Sequence, residues 1–90
     1  MGVTFDASKR AKTLAERGLD FSRAGEVFNS KTKTVPDTRQ DYGEQRCITI
    51  GMLDGRMVVV VWTHRGDMRR IISMRKANDR EQALHGRDLA

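Results

Sequence analysis

The chain has 90 residues and a net charge of +5, with 38% hydrophobic and 32% charged residues, a composition typical of a globular domain rather than a disordered tail. A chain of this length buries only about 60% of its unfolded surface, so we expect one small domain over residues 1–90. No apolar run approaches the roughly 20 residues that span a bilayer, and the first ten residues lack the apolar block of a secretory signal, so we expect a cytoplasmic protein without membrane contact.

The first 30 residues predict a short strand followed by two helices. Val3–Phe5 is β-like, and Asp6 is a good N-cap for a helix over Ala7–Arg17. Gly18 is a natural end for that helix. Apolar residues at helical spacing predict a second short helix over residues 21–28, so the two helices form a hairpin.

The middle of the chain predicts a three-stranded antiparallel meander. Lys33–Val35 is at most an edge strand, because Pro36 cannot donate a hydrogen bond to a ladder. Three β-like segments then follow, separated by the tight-turn sequences DG and RGD. They cover Arg46–Leu53, Arg56–His64 and Met68–Met74.

The end of the chain predicts a closing helix from about Asn78 to His85, ended by Gly86. The order of elements therefore predicts an α+β fold: a strand and two helices, the antiparallel meander, and a C-terminal helix.

Side-chain alternation predicts which residues share a face of the sheet. Both sides of the strand over residues 56–64 are apolar, which indicates a central strand covered on both faces. In the last strand, strict alternation puts Arg69 and Arg75 on one side and Arg70 on the other. Basic side chains thus flank an apolar middle, as in a rimmed groove.

The excess positive charge lies in the predicted sheet. Residues 46–76 contain seven Arg or Lys residues, against only Asp54 and Asp67. Positive charge gathered on adjacent strands attracts phosphate groups or an acidic protein. A polyanion is therefore the expected partner.

The sequence offers no ligand set for a metal ion. Cys47 is the only cysteine, which excludes an internal disulfide, and no Cys/His cluster has zinc-ligand spacing. Cys47 falls in a strand pattern, which favours a small buried hydrophobe over a reactive thiol. We therefore expect no metal and no cofactor.

Several stretches resemble the BrnT toxins: FDASKR near the start, DYGEQR leading into ITIGMLDGR, and RRIISMRKAN. The resemblance runs from Phe5 to His85, in the same order and with similar spacing. It implies a RelE-like fold and an endoribonuclease that inhibits translation and growth, with or without the ribosome. The absence of a metal-ligand cluster predicts that this endoribonuclease is metal-independent. It also implies a cognate BrnA-like antitoxin of the ribbon-helix-helix type, which neutralises the toxin and carries the complex to operator DNA.

The chemistry implied by that resemblance needs cations around the attacked phosphate. An Arg fork pairs with two phosphate oxygens and stays charged, so arginines suit the stabilisation of phosphoryl charge during attack by a 2′-hydroxyl. The candidates from neighbouring strands are Arg46, Arg65, Arg70 and Arg75. Another interpretation is that Arg46 and Arg75 are structural and pair with nearby carboxylates.

Proton transfer has fewer candidates. Relatives have Lys-His-Gly where this chain has Glu16-Arg17-Gly18, which leaves His64 and His85 as candidate acids or bases. A solvated turn histidine and a histidine favoured by the helix dipole are the alternatives. Additional RNA contacts are predicted for Lys9, Lys33, Arg69 and Lys76.

Two functions other than catalysis remain open. A nucleic-acid-binding module needs only the basic groove and its phosphate contacts. A protein-interaction scaffold would use the same patch to bind an acidic segment of the antitoxin.

Overall fold

The computed structural model describes residues 2–89, and its secondary structure follows the predicted order. The elements are β1 Val3–Phe5, α1 Ala7–Arg17, a 3-10 turn Phe21–Arg23 that leads into α2 Ala24–Phe28, β2 Lys33–Pro36, β3 Arg46–Leu53, β4 Arg56–Arg65, β5 Met68–Lys76 and α3 Asp79–Leu89. The α+β class is confirmed. No helix within residues 2–89 is long and apolar enough to cross a membrane.

The strands form one mixed sheet in the order β1-β5-β4-β3-β2. The predicted meander is confirmed, since β3, β4 and β5 pair antiparallel. Short β2 pairs antiparallel with the outer side of β3, as an edge strand that ends at Pro36. At the other edge β1 pairs parallel with β5, a pairing that the alternation pattern does not specify.

The start and end of α1 follow from its capping residues. The Asp6 carboxylate accepts a hydrogen bond from the Lys9 amide at 2.9 Å, and Gly18 takes the left-handed conformation at φ 69°. Arg10 then donates two hydrogen bonds to Asp20, at 2.7 and 2.9 Å. This ion pair ties α1 to the turn that precedes α2.

The larger part of the core lies between the sheet and the segment formed by the 3-10 turn and α2. We call this side the helical face; its buried side chains include Phe21, Val27, Val58 and Val60. Strand β4 is buried from residue 57 to residue 63, so the prediction of a covered central strand is confirmed. A side chain at Gly51 would come within 2.8 Å of Val27, so the glycine allows α2 to pack closely.

A smaller core forms on the opposite side of the sheet, beneath α3. It contains Ile50, Met57, Val59, Ala77 and Leu89. The predicted helix end at Gly86 is wrong, because α3 continues to Leu89, whose side chain is only 5% exposed. Burial of Leu89 outweighs the conformational cost of a glycine inside the helix.

One irregularity in β5 decides which arginines share a face. Val61 stands opposite Ser73, whereas Trp62 stands opposite Ile71, so the intervening residue of β5 is a bulge. Strict alternation would separate Arg70 from Arg75, but the bulge brings them to the same side. The predicted grouping of Arg69 with Arg75 is therefore wrong.

Candidate functional site

Three arginines from three neighbouring strands lie on one side of the sheet, around Thr63. Arg46 on β3 and Arg70 on β5 both stand opposite Thr63 on β4, and residues that stand opposite each other share a face. Arg65 follows Thr63 by two residues and points the same way. We call this side, which carries Arg46, Thr63, Arg65, Arg70 and Arg75, the basic face.

The spacing of the strands allows these three side chains to meet. Adjacent strands lie about 4.8 Å apart, so the Cα atoms of Arg46 and Arg70 are separated by about 10 Å. Arg75 stands opposite Val59, four residues from Thr63 along β4, which places it about 13 Å further along the face. The basic face therefore has two parts, a group of three arginines and a separate site around Arg75.

A single carboxylate bridges two of the three arginines. Glu44 Oε2 accepts from Arg46 Nε at 3.2 Å, and Glu44 Oε1 accepts from Arg65 Nη1 at 3.0 Å. The hydrogen bond from Arg46, followed by that from Arg65, lowers the pKa of Glu44. Among residues 2–89 the Arg70 side chain has no hydrogen bond or ion pair, so its guanidinium is available to a ligand.

The segment before β3 is held against the basic face. Thr63 Oγ1 donates to the Gln45 carbonyl at 2.6 Å, and the Arg46 guanidinium lies 4.1 Å from the centre of the Tyr42 ring. Both contacts fix the backbone on either side of Glu44. Nothing in the sequence indicates this hydroxyl contact.

The beginning of the same segment contains a buried ion pair. The Asp37 side chain is fully buried and accepts from Arg39 Nε at 2.8 Å and from Nη2 at 2.7 Å. The Arg39 fork is the main reason that the pKa of Asp37 lies well below its usual range. The hydrogen bond to Glu81 raises the pKa of Arg75, and the positive charge of Arg39 opposes that rise. Sequence reasoning missed Arg39, because nothing in its polar neighbourhood marks it as part of the site.

Arg75 is bound at the junction of β5 and α3. Its two terminal nitrogens donate to the two oxygens of Glu81, at 2.7 and 2.9 Å, and the Arg75 fork lowers the pKa of Glu81 to about 2. Glu81 also forms a reciprocal cap with Asn78, since each side chain accepts from the other's backbone amide. The structural interpretation of Arg75 thus has direct geometric support.

His85 lies one helical turn after Glu81 on α3. Its Nδ1 atom is buried and has no hydrogen-bond partner among residues 2–89. His85 is therefore near the Arg75 site rather than the group of three arginines. Lys33 on β2 stands opposite Ile50 and shares the side of the basic face.

The other predicted residues lie elsewhere. His64 and Arg69 stand opposite each other on the helical face. There the ring centres of His64 and Trp62 lie 4.8 Å apart in an edge-on arrangement, and the Arg69 guanidinium lies 4.1 Å from the centre of the Phe28 ring. Lys76 stands opposite Val58 and faces the same side.

Helix α1 lies beside β5, where Lys9 and Arg17 line a cavity together with Ile72 and Ser73. Lys9 is exposed on this helix. Arg17 donates to the Met74 carbonyl at 3.0 Å and so attaches α1 to β5. Within residues 2–89 no three His, Cys, Asp or Glu side chains are grouped as a metal site.

Fold and site together define a small α+β domain with a cationic sheet face that suits a phosphate group. The sequence matches the family described as ribonuclease toxin, BrnT, of type II toxin-antitoxin system over residues 5–81. The chain therefore belongs to the BrnT family, for which an RNA substrate and an antitoxin partner are implied. A search of curated proteins found no match.

Proposed function

We propose that this chain is a metal-independent endoribonuclease toxin with a RelE-like fold, and that its basic face binds the RNA phosphate under attack. The observation that carries the proposal is the register of the sheet, which puts Arg46, Arg65 and Arg70 on one side around Thr63. In this reaction a ribose 2′-hydroxyl attacks the adjacent phosphorus and the 5′-oxygen leaves. The products are a 2′,3′-cyclic phosphate and a 5′-hydroxyl end.

The three arginines differ in how far their donors are already engaged by a carboxylate. Arg70 is free to bind first, because no carboxylate of residues 2–89 pairs with it. Arg46 and Arg65 keep part of their donor capacity, since each gives a single hydrogen bond to Glu44. Removing one preorganised donor from a transition state typically costs about 3 kcal/mol.

The second part of the basic face has a supporting role in the proposal. Both terminal nitrogens of Arg75 donate to Glu81. We therefore propose that Arg75 attaches α3 to β5 and contributes to the long-range attraction of RNA. His85 is the candidate proton donor nearest to that site. His64, Arg69, Lys76 and Lys9 lie away from the three arginines and are not assigned to it.

Ion pairing on the basic face favours a second candidate function. Since Glu44 and Glu81 already pair with three of the four predicted arginines, the face could bind nucleic acid through phosphate contacts without cleaving it. Such a module would keep a steep salt dependence of binding, because phosphate contacts release counterions. Cleavage alone separates the two functions.

The test uses purified protein and a labelled single-stranded RNA in the presence of EDTA. We expect cleavage to cyclic-phosphate ends, and a loss of about 100-fold in rate for Arg70→Ala or Arg46→Ala. Arg56→Ala is the matched control, since Arg56 begins β4 at the far end of the sheet. Binding of the same RNA without cleavage by the wild type would leave only the second function.

The partner in this proposal is a cognate antitoxin of the ribbon-helix-helix type, which silences the toxin and carries the complex to operator DNA. Growth arrest on expression of this chain alone, with rescue by the adjacent reading frame, tests that part. Cleavage with and without ribosomes determines whether the ribosome is needed.

A further inference from the structure

The carboxylate of Glu44 occupies a distinctive place on the basic face. It lies between Arg46 and Arg65, on the same side as Arg70, where the proposed function puts the RNA phosphate. A carboxylate in that place will either exclude the phosphate or take part in the reaction. We propose that Glu44 is the general base that removes the proton from the 2′-hydroxyl, an inference that rests on the proposed ribonuclease function.

The hydrogen bonds of Glu44 leave it able to accept a proton. Each of its two oxygens accepts one hydrogen bond from a side chain, at 3.2 and 3.0 Å, whereas a carboxylate oxygen has two lone pairs. Its side chain is 27% exposed, so a ligand can reach it. One lone pair on each oxygen is therefore free for a ribose hydroxyl.

Two other carboxylates that pair with arginines near the basic face, Asp37 and Glu81, are less suitable. Asp37 is fully buried and bound to the Arg39 fork. Glu81 accepts two hydrogen bonds from Arg75 and one from the Asn78 amide. Each of these two carboxylates is thus held by a guanidinium fork, and Glu44 alone of the three is not.

Phosphate binding makes Glu44 a stronger base. In the free protein Arg46 and Arg65 stabilise the ionised carboxylate and lower its pKa. A phosphate that takes over their hydrogen bonds removes this stabilisation and places a second negative charge beside Glu44, and both effects raise its affinity for a proton. Substrate binding and base strength are therefore coupled through the same two guanidinium groups.

The step balances without another reagent. The 2′-hydroxyl gives its proton to Glu44 while its oxygen forms a bond to phosphorus. The bond from phosphorus to the 5′-oxygen breaks, and that oxygen takes a proton from solvent. Glu44 then returns its proton to solvent, so the carboxylate is regenerated.

The test compares Glu44→Gln, Glu44→Asp and Glu44→Ala with the wild type in single-turnover cleavage. We expect Glu44→Gln to lose about 100- to 10,000-fold in rate, as for removal of a general base, while it binds a 2′-O-methyl RNA at least as tightly as the wild type. Glu44→Asp keeps a carboxylate and should retain part of the activity. Added formate should restore cleavage by Glu44→Ala.

The matched control is Glu26→Gln, because Glu26 also pairs with an arginine, Arg23, but does so on α2. We expect it to cleave at the wild-type rate. If Glu44→Gln cleaves faster than the wild type, Glu44 hinders phosphate binding and is not the base. If Glu44→Asp is inactive and formate does not restore Glu44→Ala, Glu44 only positions other groups. Either result overturns the assignment, whereas a wild type that does not cleave RNA refutes the proposed function itself.

Discussion

The ion pair between Arg75 and Glu81 should be a measurable source of stability. The pKa of Glu81 is about 2, below its ordinary value of 4.5. This difference corresponds to about 3 kcal/mol of stabilisation before any reduction by solvent screening. Because the Arg75 side chain is 43% exposed, solvent screening reduces this to about 1–2 kcal/mol. Glu81→Gln removes the charge but keeps an acceptor for the Asn78 amide, so it isolates the ion pair.

The assay is urea unfolding of the wild type and of Glu81→Gln between pH 7 and pH 2.5. The folded pKa of Glu81 is lowered, so its stabilisation is complete above about pH 4.5 and is lost as the pH falls toward 2. We therefore expect the deficit of the variant to be about 1–2 kcal/mol at pH 7 and to shrink at low pH. Glu81→Ala also removes the cap and should cost about 1 kcal/mol more.

Two results would refute this reasoning. A deficit that is the same at every pH would mean that Glu81 acts through packing or capping rather than through its charge. A double-mutant cycle with Arg75→Gln that gives additive losses would mean that the two side chains are not coupled.

Three further predictions concern the fold and are all measured by thermal or urea unfolding. Leu89→Ala should cost about 2–4 kcal/mol because Leu89, at the end of α3, is buried in the smaller core, while Leu84→Ala, at a side chain that is 70% exposed, should change stability by less than about 0.5 kcal/mol. Gly86→Ala should stabilise the protein by about 0.5–1 kcal/mol, since a methyl group there meets open space within a helix. Thr49→Val should cost about 1–3 kcal/mol, because it leaves the buried Trp62 Nε1 without the acceptor that now lies at 2.8 Å.

The fold was predictable where local signals and burial agree. Asp6 and Gly18 carry the capping chemistry of α1, and the turn glycines separate strands that alternate or are apolar throughout. The end of α3 was not predictable, because Gly86 is a local stop signal and only the burial of Leu89 three residues later overrides it. Tertiary packing of this kind leaves no periodic trace in a short helix.

The site was predictable in composition but not in arrangement. A count of charges locates the basic residues in the meander, yet alternation assigns Arg70 and Arg75 to opposite sides. The bulge at Ile72 places both arginines on the same side of the sheet. The sequence does not indicate this bulge, since Ile72 is as β-like as its neighbours. The position of Arg39 also could not be predicted, because Arg39 pairs with the buried carboxylate of Asp37. Aspartate is rarely buried, so nothing in the sequence predicts this pair.

The two carboxylates of the basic face differ in how readily a phosphate can replace them. Displacing Glu81 from Arg75 means breaking a two-bond fork and also losing the cap of α3, whereas displacing Glu44 from Arg46 or Arg65 breaks one longer hydrogen bond each. The same kind of ion pair is thus a structural attachment at one end of the face and an exchangeable contact at the other. RNA should therefore bind around Thr63, while the Arg75 end keeps the sheet and α3 fixed during that exchange.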